Sequence, residues 1–290
     1  MGSPRPNRRT FLRVGLTAGT AGIIGIGGYS WLIEPYEVTV ERVRVASPRL
    51  PEAFHGLKIA QLSDLHYGPY TGEREIGAAV QRCNGLSPDL IVLTGDFVTS
   101  KLWGVSTSNL ANAEKCARIL ERLHAPLGVF ACLGNHDLGV DAYGITQILG
   151  GHRIQVVRNS VQPVERHGAR LWMAGLDDCL YGIPDPDRTL AQVPRGEFTI
   201  LLVHEPDIAD QMIAYPVDLQ LSGHSHGGQV RLPWLGAPYL PPMARKYPWG
   251  LHRISRLQLY SNRGIGTIGL PIRFNDPPEV TLLTLDRSAS

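Results

Sequence analysis

The chain has 290 residues, of which 43% are hydrophobic and 19% are charged, and this balance is typical of a folded domain. It excludes a polytopic membrane protein, a disordered tail and a collagen-like repeat, and the length predicts one large domain or two small ones. The formal net charge is +2, but residues 1–33 carry four arginines and no acid, so the remainder holds 24 basic and 26 acidic residues and offers no basic face for nucleic acid. The four cysteines form no C-x-x-C pair, which excludes a zinc ribbon and a redox motif.

The first predicted element is an export signal at the N-terminus. Two adjacent arginines, Arg8 and Arg9, precede the uncharged stretch 14–33, and a basic region followed by an apolar one is typical of export signals. Paired arginines followed by Phe11 and Leu12 resemble the twin-arginine signal, whose machinery exports folded proteins. We therefore expect a protein in the periplasm or on the outer face of the cytoplasmic membrane. A single-span anchor with a basic flank is the alternative, and cleavage of the segment stays open.

The next predicted elements form an α/β domain. Residues 34–56 are interpreted as a linker and a leading strand, and residues 57–290 as one domain in which short apolar runs alternate with helical patterns. Helices are predicted over residues 76–83 and 110–123, where apolar side chains recur at helical spacing. The apolar runs predict five strands: Leu57–Leu62, Leu90–Thr94, Val129–Leu133, Phe198–Val203 and Leu219–Ser222.

Each of these five strands is followed by a side chain that can bind a metal ion. Singly, such residues are typical of turns and helix caps, but here five strand ends in succession carry them. Because the carboxyl ends of strands form the ligand crevice of open α/β sheets, we expect the side chains to converge. The predicted metal ligands are Asp64, His66, Asp96, Asn135, His204, His224 and His226.

This ligand set predicts two divalent ions about 3.5–4 Å apart, of the kind that hold both the attacking and the departing oxygen of a displacement. Asp96 is assigned as the bridge, because a carboxylate has two oxygens and an imidazole has one free nitrogen. Mixed imidazole and oxygen ligands favour Mn, Fe or Zn. One ion is assigned to Asp64, His66, Asp96 and His226, and the other to Asp96, Asn135, His204 and His224.

Catalysis by such a pair needs no protein nucleophile, because a hydroxide held between two divalent ions is nucleophilic near neutral pH. His136 follows Asn135 and is left without an ion in this assignment. It is therefore predicted to be the catalytic residue that protonates the leaving oxygen or stabilises its charge.

The motifs together resemble those of the calcineurin-like metallophosphoesterases: D-x-H, G-D, G-N-H-D, a histidine and G-H-x-H. The resemblance extends from Leu57 to Leu285 and is strongest to the twin-arginine-exported phosphodiesterase branch, whose relatives include membrane-associated enzymes that act on UDP-diacylglucosamine in lipid A synthesis. It implies a four-layer α/β/β/α sandwich of two mixed sheets, with a dinuclear site at their edge. The matching residues are Asp64 and His66, Gly95-Asp96, Gly134–Asp137, His204, and Gly223–His226.

One departure from the superfamily pattern is informative. In protein Ser/Thr phosphatases the second motif continues as G-D-x-x-D-R, whose later Asp orients the acid histidine and whose Arg holds phosphate. The corresponding residues here are Thr99 and Ser100, which argues against a protein phosphatase. The partner that orients His136 is left open, with Asp137 interpreted either as that partner or as a helix cap.

Three alternative interpretations compete with this one. Gly223–Gly227 also fits G-x-S-x-G, the nucleophile elbow of serine esterases, but no acid followed by a histidine lies further along the chain. Gly264–Gly269 fits G-x-G-x-x-G, but Pro271 follows where a dinucleotide-binding helix would begin, so a loop is predicted. The third is a metal-binding scaffold without activity, and such proteins usually lose ligands, whereas this chain retains all seven.

A proline-broken apolar stretch beyond the last ligands gives the only hint of a substrate. Residues 232–243, followed by Tyr247, Pro248 and Trp249, cannot form an ordinary helix. We interpret this stretch as an apolar lip suited to a lipid-linked or aromatic phosphodiester, such as a UDP-diacylglucosamine-type diphosphate, at a membrane surface. A loop packed onto the sheet is the alternative. The sequence thus predicts an exported dinuclear-metal phosphodiesterase.

Overall fold

The computed structural model describes residues 17, 20, 22 and 24–288. The strands are β1 (Thr39–Ser47), β2 (Leu57–Leu62), β3 (Leu90–Thr94), β4 (Lys101–Leu102), β5 (Val105–Ser106), β6 (Val129–Cys132), β7 (Ile154–Val156), β8 (Ser160–Arg166), β9 (Ala169–Gly175), β10 (Thr199–Leu202), β11 (Leu219–Ser222), β12 (Gly250–Ile254), β13 (Leu257–Ser261) and β14 (Glu279–Arg287). The helices are α1 (residues 24–32), α2 (Glu73–Gly85), α3 (Leu110–Leu120), α4 (Asn135–Leu138), α5 (Ala142–Gly151), α6 (Pro186–Leu190) and α7 (Ala209–Met212). Short 3-10 turns cover Glu34–Tyr36, Glu52–Phe54, Pro206–Ile208 and His226–Gly228.

Two mixed six-stranded sheets form the centre of the fold. The first has the order β1-β14-β2-β3-β6-β7 and is parallel except where β14 meets β2. The second has the order β12-β13-β11-β10-β9-β8, with antiparallel pairs at both edges and parallel strands between them. Strands β4 and β5 form a separate small hairpin.

Three apolar cores separate four layers. Helices α2, α3 and α5 pack on the first sheet through residues such as Ile76 and Ile145, and the two sheets meet around Phe130 and Phe198. The outer face of the second sheet packs against α6 and α7, where Met212 lies. This arrangement confirms the predicted α/β/β/α sandwich of two mixed sheets.

Local sequence explains where the elements begin and end. Helix α2 buries residues 76, 79, 80 and 83 against the first sheet, one face of a helix, and the Glu75 carboxylate accepts a hydrogen bond from the Gly72 amide at its N-terminus. Helix α3 is capped by the Asn109 side chain and ends at Leu120, three residues before the predicted limit. Strand β6 ends one residue earlier than predicted, and β10 is one residue shorter than predicted at each end.

The N-terminal segment is attached to the body of the fold. Strand β1 pairs in parallel with β14 along its full length, and the Ser30 carbonyl accepts a hydrogen bond from the Arg273 amide at 2.9 Å. The buried Glu34 carboxylate accepts another from the Asp276 amide at 2.6 Å. The paired arginines Arg8 and Arg9 lie outside the described residues. In the described part of the chain, no helix has the length and apolar character needed to cross a membrane.

Candidate metal centre

The ends of five strands from the two sheets meet at one edge of the sandwich. Strands β2, β3 and β6 deliver their following residues from the first sheet, and β10 and β11 deliver theirs from the second. Five of the predicted ligands adopt left-handed backbone conformations, with φ between 48° and 67°. Such conformations cost about 1–3 kcal/mol each and concentrate at functional sites. The five residues are Asp64, His66, Asp96, His224 and His226.

Six of the predicted ligands form two groups that share a centre. Asp64, His66 and His226 place one candidate ligand atom each within 4.8 Å of one another, and so do Asp96, His204 and His224. His136 forms a third such group with His66 and Asp96, which overlaps both. Asp96 Oδ2 lies 3.4 Å from His66 Nε2 in the first group and 3.2 Å from His204 Nε2 in the second. The carboxylate of Asp96 therefore stands between the two groups, where a bridging ligand belongs.

The arrangement of polar atoms fits divalent cations. His66 Nε2 and His226 Nε2 face each other at 3.0 Å, and His226 Nε2 lies 3.3 Å from Asp64 Oδ1. His204 Nε2 and Asn135 Oδ1 are buried without a hydrogen-bond partner among the described residues. Buried polar atoms without partners are costly unless something else binds them. Imidazole nitrogens mixed with carboxylate and amide oxygens are the donors that Mn, Fe and Zn accept.

The protonation states are those of a cation site. Burial lowers the pKa of His66 to about 3 and that of His224 to about 4, so both imidazoles are neutral at pH 7 and have a free lone pair. Burial alone would raise the pKa of Asp96, but His204 and His136 beside it hold that pKa well below its usual range. Burial alone would lower the pKa of His204, but the carboxylates of Asp96 and Asp64 outweigh burial and raise that pKa above its usual range, so the buried carboxylates favour positive charge between them.

Backbone carbonyl groups orient two of the ligand histidines. His204 Nδ1 lies 2.6 Å from the Thr94 carbonyl oxygen, and His224 Nε2 lies 2.9 Å from the Pro242 carbonyl oxygen. In each case the bonded nitrogen carries the proton, which leaves the other nitrogen free as a ligand. Thr94 ends β3, so its role could have been inferred from the strand pattern, but the Pro242 contact depends on a long loop that sequence patterns do not place.

His136 is oriented by Ser100. The Ser100 amide donates to His136 Nδ1 at 3.1 Å, and the Ser100 hydroxyl lies 3.0 Å from the same nitrogen. Because an amide N–H can only donate, Nδ1 accepts, and the neutral ring carries its proton on Nε2. Asp137 is a helix cap and not the partner of His136: it accepts hydrogen bonds from the amides of Gly134 and Phe97 at the start of α4.

Asp64 rests against a glycine loop that the sequence did not connect with the site. The Ile265 and Gly266 amides donate to the carbonyls of Ser63 and Asp64 at 3.0 and 2.7 Å. Gly264 has φ +73°, and a Cβ at this position would lie 2.6 Å from the Asp64 Cβ. The loop therefore approaches Asp64 so closely that only glycine fits.

Replacing Gly264 by alanine should weaken metal binding. The added methyl collides with Asp64, so we expect a loss of about 2–4 kcal/mol in unfolding free energy and at least about tenfold in metal affinity. Gly269 is the matched control, since its φ is +74° and nothing lies within 4 Å of its Cβ position. Gly269→Ala should cost about 1–2 kcal/mol and leave metal affinity unchanged. Urea denaturation and isothermal titration with Mn²⁺ measure both quantities, and equal metal affinities would contradict the close contact.

The stretch 232–243 forms a rim beside the centre. Its Pro242 carbonyl holds His224, and Ala237 and the Tyr239 carbonyl close against Gly228, two residues after His226. Trp234, Leu235 and Tyr239 are exposed, so this part of the stretch is not packed onto the sheet.

The two competing motifs have structural roles. The buried Ser225 hydroxyl accepts a hydrogen bond from the Gly227 amide at 3.0 Å and caps a 3-10 turn, while His252 Nε2 bonds to the Trp249 carbonyl. Neither residue is arranged as part of a serine esterase triad. Residues 264–269 form the loop that supports Asp64, and no helix follows them before β14.

Comparisons with known proteins agree on one family. The model of the calcineurin-like phosphoesterase family matches residues 57–228. The metallophosphoesterase YkuE of Bacillus subtilis is 36% identical over 286 residues, covering 96% of this chain and 97% of its own length. The phosphodiesterase YaeI of Escherichia coli is 32% identical over 283 residues, with 96% and 99% covered. The UDP-2,3-diacylglucosamine pyrophosphatase LpxG of Chlamydia trachomatis is 30% identical over 332 residues, with 94% and 98% covered.

Proposed function

This chain belongs to the calcineurin-like phosphoesterase family and is a metal-dependent hydrolase of phosphoric ester bonds, and within that activity we propose that it is a dinuclear phosphodiesterase. The position of Asp96 between two groups of ligands carries the proposal, since one carboxylate reaches both. The absence of the protein-phosphatase residues at Thr99 and Ser100 and the relative named as a phosphodiesterase support a diester substrate.

The proposed ligands divide between two divalent ions, of Mn, Fe or Zn. Such ions, when bound, supply positive charge for the phosphoryl oxygens and activate water near neutral pH. The chain's own contribution is to hold the donors rigidly, with His136 beside them to donate a hydrogen bond from Nε2 that stabilises charge on the leaving oxygen. Asp64, His66, Asp96 and His226 would hold one ion, and Asp96, Asn135, His204 and His224 the other.

A preference for diesters is testable with two chromogenic substrates. We expect kcat/KM for bis-p-nitrophenyl phosphate to exceed that for p-nitrophenyl phosphate, because Ser100 occupies the position where protein phosphatases of the superfamily have the arginine that holds phosphate. The full chain, loaded with Mn²⁺, is assayed with both. A higher kcat/KM for the monoester would contradict the diesterase assignment while leaving the hydrolase intact.

Ser100 acts as a positioning residue for His136. Ser100→Ala removes one of two contacts to Nδ1, so we expect kcat to fall about two- to tenfold while KM and the bound ions stay unchanged. Ser106→Ala, at an exposed position of the hairpin that follows Ser100, is the control and should leave kcat and KM unchanged. Steady-state kinetics and metal analysis separate the effects, and a change in KM alone would show that Ser100 does not act through His136.

We extend the proposal to a lipid-linked phosphodiester or diphosphate, such as a UDP-diacylglucosamine-type compound. The exposed Trp234, Leu235 and Tyr239 form an apolar surface on the rim that holds His224. The relative LpxG is named for a diacylated nucleotide sugar and aligns along almost the whole chain. An apolar rim beside a polar centre matches a substrate with a lipid part and a phosphate part.

Removing the aromatic side chains of the rim should reduce activity on a lipid-bearing substrate and leave activity on a simple diester unchanged. In Trp234→Ala/Tyr239→Ala, we expect kcat/KM for a lipid-bearing diphosphate dispersed in detergent to fall at least about tenfold. Hydrolysis of bis-p-nitrophenyl phosphate should not change. Tyr181→Ala, an exposed tyrosine elsewhere, is the control. If activity on both substrates survives in the double variant, the rim does not bind the lipid part.

We also propose export by the twin-arginine machinery, on the strength of Arg8 and Arg9 before an uncharged stretch. The protein would then act in the periplasm or on the outer face of the cytoplasmic membrane, cleaved or anchored. Arg8→Lys/Arg9→Lys should leave the protein in the cytoplasm, which cell fractionation measures. Unchanged export of that variant would remove this proposal.

A further inference from the structure

A long part of the chain around the centre carries only positive charges. No acidic residue occurs from Leu219 to Asn275, whereas seven basic residues do, although the whole chain has 26 acids. Arg245 and Arg253 are exposed. Arg231 stacks on the Trp249 ring, with its guanidinium carbon 3.8 Å from the ring centroid. Lys246 and Arg263 are paired with carboxylates from other segments, so Arg245 and Arg253 are the exposed cations that this part of the chain contributes near the rim.

The tip of the rim displays apolar side chains that the fold does not use. Leu232 and Gly236 close a tight turn through hydrogen bonds of 2.9 Å between their backbones, with Trp234 and Leu235 at its tip. Trp234 is fully exposed and Leu235 is 81% exposed. Two large neighbouring apolar side chains held in water mark an interaction surface rather than a packing element.

A second group of exposed apolar side chains lies on the N-terminal helix. Helix α1 and the residue after it expose Ile24, Ile26, Trp31, Leu32 and Ile33. This helix is tied to the base of the rim by consecutive backbone hydrogen bonds. The Arg273 amide donates to the Ser30 carbonyl, and the Phe274 amide and carbonyl bond to Gln229 and Arg231 at 2.8 Å. Arg273 and Phe274 therefore lie between the end of α1 and the base of the rim and bond to both.

We infer that residues 24–33 and 231–240, with the flanking Arg245, form one docking face for an anionic phospholipid bilayer. Exposed tryptophan, leucine and isoleucine side chains enter the interfacial layer of a bilayer, and arginine beside them pairs with anionic headgroups. The charge of this part of the chain has the sign that such a surface requires. Docked in this way, the rim that holds His224 faces the lipid. The inference rests on the proposed function only in placing a lipid-linked substrate beside the centre.

Hydrogen exchange on vesicles tests the face directly. The full chain is incubated with vesicles of phosphatidylcholine alone or with phosphatidylglycerol added, in the absence of substrate. We expect amide protection of residues 231–240 together with 24–33 on the anionic vesicles, and none in helix α5 (Ala142–Gly151). Protection of residues 24–33 without 231–240 would overturn the inference, because the helix would then dock alone. Failure to bind either vesicle would overturn it as well.

Variants give the size of the effect. Trp234→Ser/Leu235→Ser should weaken binding to anionic vesicles about 100-fold, as expected for two large apolar side chains that leave a bilayer. Arg245→Gln should weaken it about fivefold on anionic vesicles only. Tyr143→Ser, exposed on α5, is the control and should bind as the parent does. Equal binding of all three variants overturns the inference.

The experiments distinguish a loss of vesicle binding from a loss of catalysis. Arg245→Gln should hydrolyse bis-p-nitrophenyl phosphate at the parent rate, because this soluble diester needs no bilayer. A chain that docks but hydrolyses no phosphodiester contradicts the proposed function and leaves the docking face intact. A chain that hydrolyses the diester but binds no vesicle overturns the docking face alone. Capture of a soluble protein by residues 231–240 in place of vesicles would likewise overturn it.

Discussion

Replacing Asp96 by asparagine should reduce kcat for bis-p-nitrophenyl phosphate by more than about 10³-fold and lower the bound metal below two ions per chain. Asp96 Oδ2 faces both His66 and His204, so the substitution removes a charge on which both groups of ligands depend. Asparagine keeps the volume, and its Oδ1 can still accept the His136 amide that Asp96 Oδ1 accepts at 2.8 Å. The loss should therefore reflect the missing charge and not a disrupted loop.

Kinetics and elemental analysis measure this prediction, with Asp286→Asn as the matched control. Asp286 pairs with Arg44 on the first sheet and has no contact with the ligands, so its substitution should leave metal content and kcat unchanged. If Asp96→Asn retained two ions and kcat within tenfold of the parent, the carboxylate would not be a bridge.

Replacing His136 by alanine should lower kcat by about 10²–10⁴-fold while leaving the metal content unchanged. The variant should keep its ions, because Ser100 holds His136 Nδ1 and the role of His136 is to donate a hydrogen bond from Nε2 to the leaving oxygen. The loss should be smaller for a diester with a good leaving group, since p-nitrophenolate needs less stabilisation of its charge than an alkoxide. A single-turnover assay with the two kinds of diester measures this difference.

His152→Ala is the control for the loss of an imidazole. His152 bonds to Glu114 and Glu121 at the surface near α3, so its replacement should leave kcat and metal content unchanged. If His136→Ala also lost metal, the residue would be a ligand and its assignment as a hydrogen-bond donor would be wrong. An equal loss of kcat with both leaving groups would likewise exclude hydrogen bonding to the leaving oxygen.

The strand pattern predicted most of the fold that positions the site. Strand β3 is fully buried and reads as a continuous apolar run, and strands of this kind can be recognised without knowing their partners. Because the candidate metal ligands follow such strands directly, we could predict from the strand pattern that their side chains converge. The α/β/β/α architecture and the family are confirmed. The ion-binding role of the seven side chains stays a prediction, which their clustering supports.

The parts that could not be predicted depend on contacts between distant segments. Ser100 lies 36 positions before His136 and meets it through its backbone amide, a group that every residue except proline has, so no side-chain pattern marks it. The G-x-G-x-x-G segment was predicted to be a loop, but its contact with Asp64 joins residues 200 positions apart. The pairing of β1 with β14 is likewise a contact between the two ends of the chain.

The most direct test of the account is hydrolysis of bis-p-nitrophenyl phosphate by the full chain, stripped of metal and then titrated with Mn²⁺, with His224→Ala measured in parallel. We predict that the activity of the parent chain returns as two ions bind per chain. His224→Ala lacks one ligand but keeps Asp96, and with Mn²⁺ it should regain less than about 1% of the parent activity. A folded chain that binds two ions yet does not hydrolyse the diester, or a parent chain that hydrolyses it equally well without metal, would contradict the account.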